Sequence, residues 1–401
     1  MNESAGRNWS LAALLAALAM LGPFSVDTYL PAFHDIGREF DVPQLAVQQT
    51  LSTYLFAYAF MMLWQGALAD SLGRRPVVLA GLAVYAVATL GCAIAGNIET
   101  LWLFRTLQGL SAGTGLVVGR AIIRDRFHGA EAQRLMAQVT LVFGIAPAVA
   151  PVVGGILLNS LGWRSIFWVL FVLVIGLWLW SQRQLPETLP AHGRQSLAPD
   201  KLFHSYAAVM RHPDFLLLAT IPALNFAAFF IYIASAPTFL IDRLGVSTYG
   251  FAWLFIPMIA GVMIGAAISG RSAGRLSTGR TVRVAYALMF AGVAFDLGVA
   301  WFVSPGVPWH VLPIMLFTMG SSVLMPTASL LLLDLFPTMR GLASSLQSFI
   351  HFALAAVNAG SIAPLLAQSL KAMALGMAGF TLASLLLWVA YQLRAARRHA
   401  Q

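Results

Sequence analysis

The chain has 401 residues, of which 59% are hydrophobic and only 10% charged, against roughly 25% charged in a soluble domain. That composition excludes a water-soluble fold and points to lipid as the solvent. The formal charge of +9 is scattered in short clusters between apolar runs rather than gathered on one face, which argues against nucleic acid, and a single cysteine, Cys92, excludes an internal disulfide framework or a cysteine-based metal site.

A spanning helix needs about 20 mostly apolar residues. Twelve such runs occur, at 9–30, 46–69, 77–96, 100–123, 136–158, 163–183, 213–240, 248–270, 281–303, 309–332, 341–365 and 369–392. The first is too long for a signal-peptide core and reads as a retained helix. It contains Ser25-Val-Asp27-Thr-Tyr29-Leu-Pro31-Ala32. After the second run comes Gly66-Ala-Leu-Ala-Asp70-Ser-Leu-Gly73-Arg74-Arg75-Pro76, where the glycines permit close approach and turning and the charges can pair at a helix end. The fourth run carries Arg105-Thr-Leu-Gln108-Gly109 and ends near Arg120-Ala-Ile-Ile-Arg124-Asp125. In the fifth, Gly144, Pro147, Pro151, Gly154 and Gly155 combine small residues with two potential kinks, and the sixth opens on Trp163-Arg-Ser-Ile-Phe167-Trp168.

The longest hydrophilic stretch lies between the sixth and seventh runs and divides the chain into 1–183, a central loop 184–212, and 213–401. Gly66, Gly73 and Arg74 are echoed about 200 residues later by Gly265, Gly274 and Arg275, although Arg271 stands where the first copy has Asp70. Two parallel six-helix halves follow from this spacing. With the N-terminus inside, eighteen of the 24 Lys and Arg fall on the cytoplasmic side and four on the other, so the positive-inside rule puts both termini and the central loop in the cytoplasm.

The loop at 66–76 resembles the signature loop of the major facilitator superfamily, Arg105 to Gly109 looks like that family's fourth-helix motif, and the fifth run resembles its antiporter motif. Residues 25–32, with 120–125 and 163–168, are similar to the Bcr/CflA group of drug:proton antiporters. The resemblance implies an all-α membrane protein of the major facilitator fold, with twelve transmembrane helices in two six-helix halves. It implies proton-coupled efflux of small compounds of the chloramphenicol or bicyclomycin class by alternating access, in a bacterial inner membrane. A metabolite exporter on the same fold is the alternative. Detailed likeness covers about residues 20–190, so substrate identity is the least constrained feature. Neither catalysis nor a cofactor is called for, a phosphate-cradling GxxxxGK[ST] loop is absent from the sequence, and the expected partners are small molecules, protons and lipid, with the chain a monomer.

An ionised side chain in a helix interior costs roughly 2.5–3.5 kcal/mol on insertion scales, so each one asks for a reason. Asp27 and Arg105 fall about a turn from the outer ends of their runs, and with Tyr29 they are the candidates for proton coupling or substrate contact. Gly66, Asp70, Gly73 and Arg74 are candidates for a conformational switch, and Pro147, Pro151, Gly154 and Gly155 for a pivot. Asp296 lies in the ninth run, where an interfacial or protein-facing residue without a transport role is the favoured reading. Gln347, His351, Asn358, Asn225 and Tyr232 fit interhelical hydrogen bonds better than ligand contacts. Tyr29, Tyr54, Phe56 and Tyr58 fit either an apolar pocket or an interfacial belt.

Overall fold

The computed structural model describes residues 2–191, 194, 199–272 and 275–399, so that Gly274 of the internal echo and residues 192–193 and 195–198 of the central stretch lie outside the described residues. The chain divides into two compact units, Met1–Ala198 and Pro199–Gln401.

The first unit contains α1 (Asn2–Asp27), α2 (Phe33–Glu39), α3 (Gln44–Leu72), α4 (Arg74–Ala93), α5 (Ile98–Ala112), α6 (Thr114–Arg126), α7 (Gly129–Leu161) and α8 (Arg164–Gln184). The first apolar run does not end near residue 30. Pro31 cannot donate a helical hydrogen bond, so α1 gives way at Asp27 to a 3-10 turn, Leu30–Ala32, and helix resumes as α2. The whole run Ser10–Glu39 is apolar enough to cross a membrane, and Asp27 therefore lies at a break inside it rather than near its end. Within this unit α3 packs on α5, α1 on α7, and α4 on α8.

The second unit contains α9 (Pro199–Met210), α10 (Pro213–Ala234), α11 (Ala252–Ser272), α12 (Thr278–Phe302), α13 (Leu312–Asp334), α14 (Arg340–Val357), α15 (Ala363–Leu366) and α16 (Leu370–His399). The hydrophilic central stretch is not all loop, because Leu202, Tyr206 and Val209 recur at helical spacing and α9 lays them against α14 and α10. In this unit α13 packs between α11 and α12, and α10 against α16. Asp214 opens α10 fully buried, and two arginines from the end of α16 compensate it: Arg394 Nε at 3.0 Å and Arg398.

Among the described residues, ten helical runs are long and apolar enough to span a bilayer by length and composition. The two other expected spans are helical as well. The run at 46–69 is α3, diluted by Ser52, Thr53, Tyr54, Tyr58 and Gln65, and the run at 100–123 is shared by α5 and α6, which meet at Gly113. Large apolar side chains such as Val172, Leu216 and Phe302 face outward, as expected where the surroundings are hydrocarbon.

Candidate functional site

Arg105 sits at the middle of α5 with no exposed surface. Its guanidinium is held between two tyrosine rings, 4.7 Å from the centroid of Tyr29 and 4.3 Å from that of Tyr54. Each such cation–π contact is worth about 0.5–2 kcal/mol, the upper figure applying where water is excluded. Nη1 donates to Gln108 Oε1 at 2.9 Å and to Ser25 Oγ at 3.3 Å, while Nε and Nη2 are buried without an acceptor. A second layer holds the cage. Gln108 Nε2 donates to Thr89 Oγ1 at 2.8 Å, which fixes its amide with the oxygen toward Arg105. The Thr50 hydroxyl donates to the Val47 carbonyl, so the Tyr29 hydroxyl donates to Thr50 Oγ1 at 2.5 Å.

Asp27, the last residue of α1, is 5% exposed. Among the described residues no ion pair joins it to Arg105, whose hydrogen bonds go to neutral oxygens. The next residue, Thr28, is where α7 comes closest. A Cβ added at Gly154 would stand 1.9 Å from the Thr28 carbonyl oxygen, so only glycine admits this contact. Helix α7 continues through Pro147 and Pro151 from Gly129 to Leu161, with Gly155 accepting a hydrogen bond from Asn159.

The loop after α3 forms a separate cluster. Gly73 has φ 104°, a left-handed conformation that favours glycine, and any Cβ there would meet Glu187 Oε2 at 2.5 Å. Arg74 pairs with Asp70 one turn earlier and with Asp125 Oδ2 at 3.1 Å, near the end of α6. Glu187 accepts from the backbone N–H of Arg74 at 3.0 Å and of Arg75 at 3.3 Å, supplying an anion to the N-terminus of α4. Thr188 donates to the same Asp125 oxygen at 2.9 Å. Gly66 stands apart, since a side chain there would meet nothing within 4 Å.

The structure thus gathers Tyr29 and Arg105 into one cage, with Asp27 two residues before Tyr29 in the chain and not paired with Arg105 among the described residues, and Asp70, Gly73 and Arg74 into another cluster. Sequence reading missed Ser25, Thr50, Thr89 and Gln108 as supports for Arg105. Gln108, at i+3 from Arg105 on the same helix, was the signal that could have been used. Glu187 carried no periodic signal at all. Tyr54 is part of the cage and Tyr58 stacks near it at 6.2 Å, whereas Phe56 is exposed.

The family description Major Facilitator Superfamily matches residues 14–360. Among relatives, the Bicyclomycin resistance protein homolog of Haemophilus influenzae is 27% identical over 356 residues, 87% of each chain. Multidrug resistance protein D of Escherichia coli is 28% identical over 340 residues, 85% of each. The uncharacterized MFS-type transporter YdgK of Bacillus subtilis is 32% identical over 286 residues, 71% of each. Among solved structures, the human organic anion transporter MFSD10 (TETRAN) superposes with a TM-score of 0.70 at 18% identity, covering 95% of this chain and 99% of its own. A D-xylose-proton symporter gives 0.71 at 14% identity, covering 95% and 97%. This multi-pass membrane chain belongs to the major facilitator superfamily.

Proposed function

We propose that the chain exports small drug-like compounds, of the bicyclomycin or chloramphenicol class, in exchange for protons by alternating access, as a Bcr/CflA-type member of its superfamily. The observation that carries this reading is a buried carboxyl, Asp27, two residues before Tyr29, which forms one wall of the cage around the buried Arg105 guanidinium; among the described residues that guanidinium has no acid paired with it. Names borne by the relatives, bicyclomycin and multidrug resistance, support the substrate class.

In this mechanism Asp27 binds the proton. As a carboxylate it puts a charge at the break that leads into the cage wall Tyr29; as a neutral acid it does not, while rings and amide hold the Arg105 cation in either state. Tyr29 is two residues from Asp27 and one face of the cage, so a shift at the break after α1 moves a wall of the arginine site. Gly154 bears on the intervening Thr28, which makes α7, with Pro147, Pro151 and Gly155, the element that a proton-linked movement would press against. Gly66, Asp70, Gly73 and Arg74 act on conformational switching rather than on ligand. The chain lies in the bacterial inner membrane with both termini and residues 184–212 on the cytoplasmic side.

Two measurements test the reading. Cells lacking their major pumps, with and without the chain, should differ in susceptibility to chloramphenicol or bicyclomycin; protection only against purine or amino-acid analogues would replace drug export with metabolite export. In proteoliposomes Asp27→Asn should abolish accumulation driven by a pH gradient while sparing downhill flux. Uphill pumping by that variant with an unchanged pH profile would remove Asp27 from the coupling step.

A further inference from the structure

The C-terminal unit contains a buried acid that the mechanism above leaves unused. Asp296, on α12, is 3% exposed, and α12 packs against α13 and α16. Tyr232, in the last turn of α10 and itself 1% exposed, reaches across and donates its hydroxyl to Asp296 Oδ2. Of the two sequence readings of Asp296, interfacial or protein-facing, its burial and its bond from Tyr232 fit the second.

The surrounding charges are all engaged or distant. On α13 the ionisable residue is Asp334 at the far end, paired with Arg340. On α16, Lys371 lies over the Trp301 ring at 5.4 Å, Arg394 and Arg398 hold Asp214, and Tyr391 and Arg397 belong to that same distant end. On α12 itself, Arg280 and Arg283 occupy the first two turns, and the Tyr286 hydroxyl bonds Ser384 Oγ. His310, just before α13, places Nδ1 on the Gly306 carbonyl, and His351 of α14 stacks on Phe226 of α10. Among the described residues no cation pairs with Asp296. A lone carboxylate in a membrane interior is penalised, whereas a phenol can donate to a carboxylate and, more weakly, to the carbonyl oxygen of the neutral acid. The contact with Tyr232 therefore survives both protonation states, and gain of a proton need not disturb the packing of α10 on its neighbours.

We propose that Asp296 and Tyr232 form a second proton-binding site, carried by the C-terminal unit and separate from Asp27, and that Asp296 takes up and releases one proton in each transport cycle. The cycle part rests on the proton-coupled reading above; the binding part does not. The proton adds to the carboxylate from water on one side and returns to water on the other, with no other bond changed.

Infrared difference spectroscopy of the purified, substrate-free protein during a pH titration tests the site. A buried carboxylic acid band that titrates should be present in the wild type and in Asp27→Asn, absent in Asp296→Asn, and shifted in both frequency and titration midpoint in Tyr232→Phe. The last variant keeps the acid and so serves if Asp296→Asn fails to fold. No titrating band assignable to Asp296, or a band indifferent to Tyr232→Phe, overturns the site. In proteoliposomes with chloramphenicol as probe, the protons moved per substrate should fall by one in Asp296→Asn. An unchanged ratio beside a titrating band overturns the exchange step. Uphill pumping by Asp27→Asn beside a titrating Asp296 defeats the earlier reading of Asp27 and leaves this site standing.

Discussion

Replacing Gly154 by alanine adds one methyl group where α7 meets the backbone of α1. The new Cβ would lie 1.9 Å from the Thr28 oxygen, so the two helices must separate by about 1 Å to reach even the closest contact that real side chains show. Overpacking of this kind costs about 1–3 kcal/mol, and backbone oxygen cannot swing aside as a flexible side chain would. Gly144 provides an internal control on the same helix, because a Cβ there meets nothing within 4 Å, and Gly144→Ala should gain up to about 1 kcal/mol from helix propensity. For a unit of this size each kcal/mol shifts Tm by roughly 2–4 °C, so the two variants should melt roughly 2–12 °C below and up to about 4 °C above the wild type. The sole cysteine, Cys92, is fully buried in α4 of the same unit, and a thiol-reactive fluorophore will therefore report its unfolding directly. If Gly154→Ala melts with the wild type or with Gly144→Ala, the close approach at Thr28 is not a constraint, and the coupling of α7 to the Asp27 segment goes with it.

Asp70→Asn should slow chloramphenicol flux severalfold while leaving equilibrium binding within a few-fold, since Asp70 touches Arg74 and the end of an adjacent helix network rather than the arginine cage; complete loss of binding in folded protein would contradict this. Reporter fusions after residue 401 and near residue 195 should be active only for a reporter that works in the cytoplasm, and alkaline phosphatase activity at either position would reverse the topology.

Hydropathy and the glycine-acid-arginine spacing at 66–76 made the helical, membrane-spanning character and the signature loop legible, because both depend on composition within a short window. The break between α1 and α2 was less visible. Leu30, Ala32 and Phe33 keep the run apolar while Pro31 interrupts its hydrogen bonding, and an apolar window averages over that difference. The junction of α5 and α6 at Gly113 was hidden for the same reason. Asp27 and Arg105 lie at similar depth in their runs, but depth does not say which way a side chain turns. In the structure Arg105 turns to the faces of Tyr29 and Tyr54 and to the amide of Gln108, partners drawn from three stretches of chain. Glu187 lies 113 and 112 residues from the N–H groups of Arg74 and Arg75 that it caps, beyond the reach of any local pattern.

The clamp on Asp214 has a consequence for how the chain is made. This acid enters the membrane protein at the start of α10, yet its counter-charge on Arg394 is encoded 180 residues later. At about 5–20 residues per second the ribosome needs roughly 9–36 s to deliver it. Throughout that interval the nascent chain holds a carboxylate that favours water over the site it will finally occupy, so the base of α10 stays wet until the end of α16 has been made. A stop codon at position 394 would spare the apolar part of every span and still leave this last seal unmade. Arg394 and Arg398 at the end of α16 thus seal the base of α10 in a late step of assembly rather than decorating a dispensable helix end.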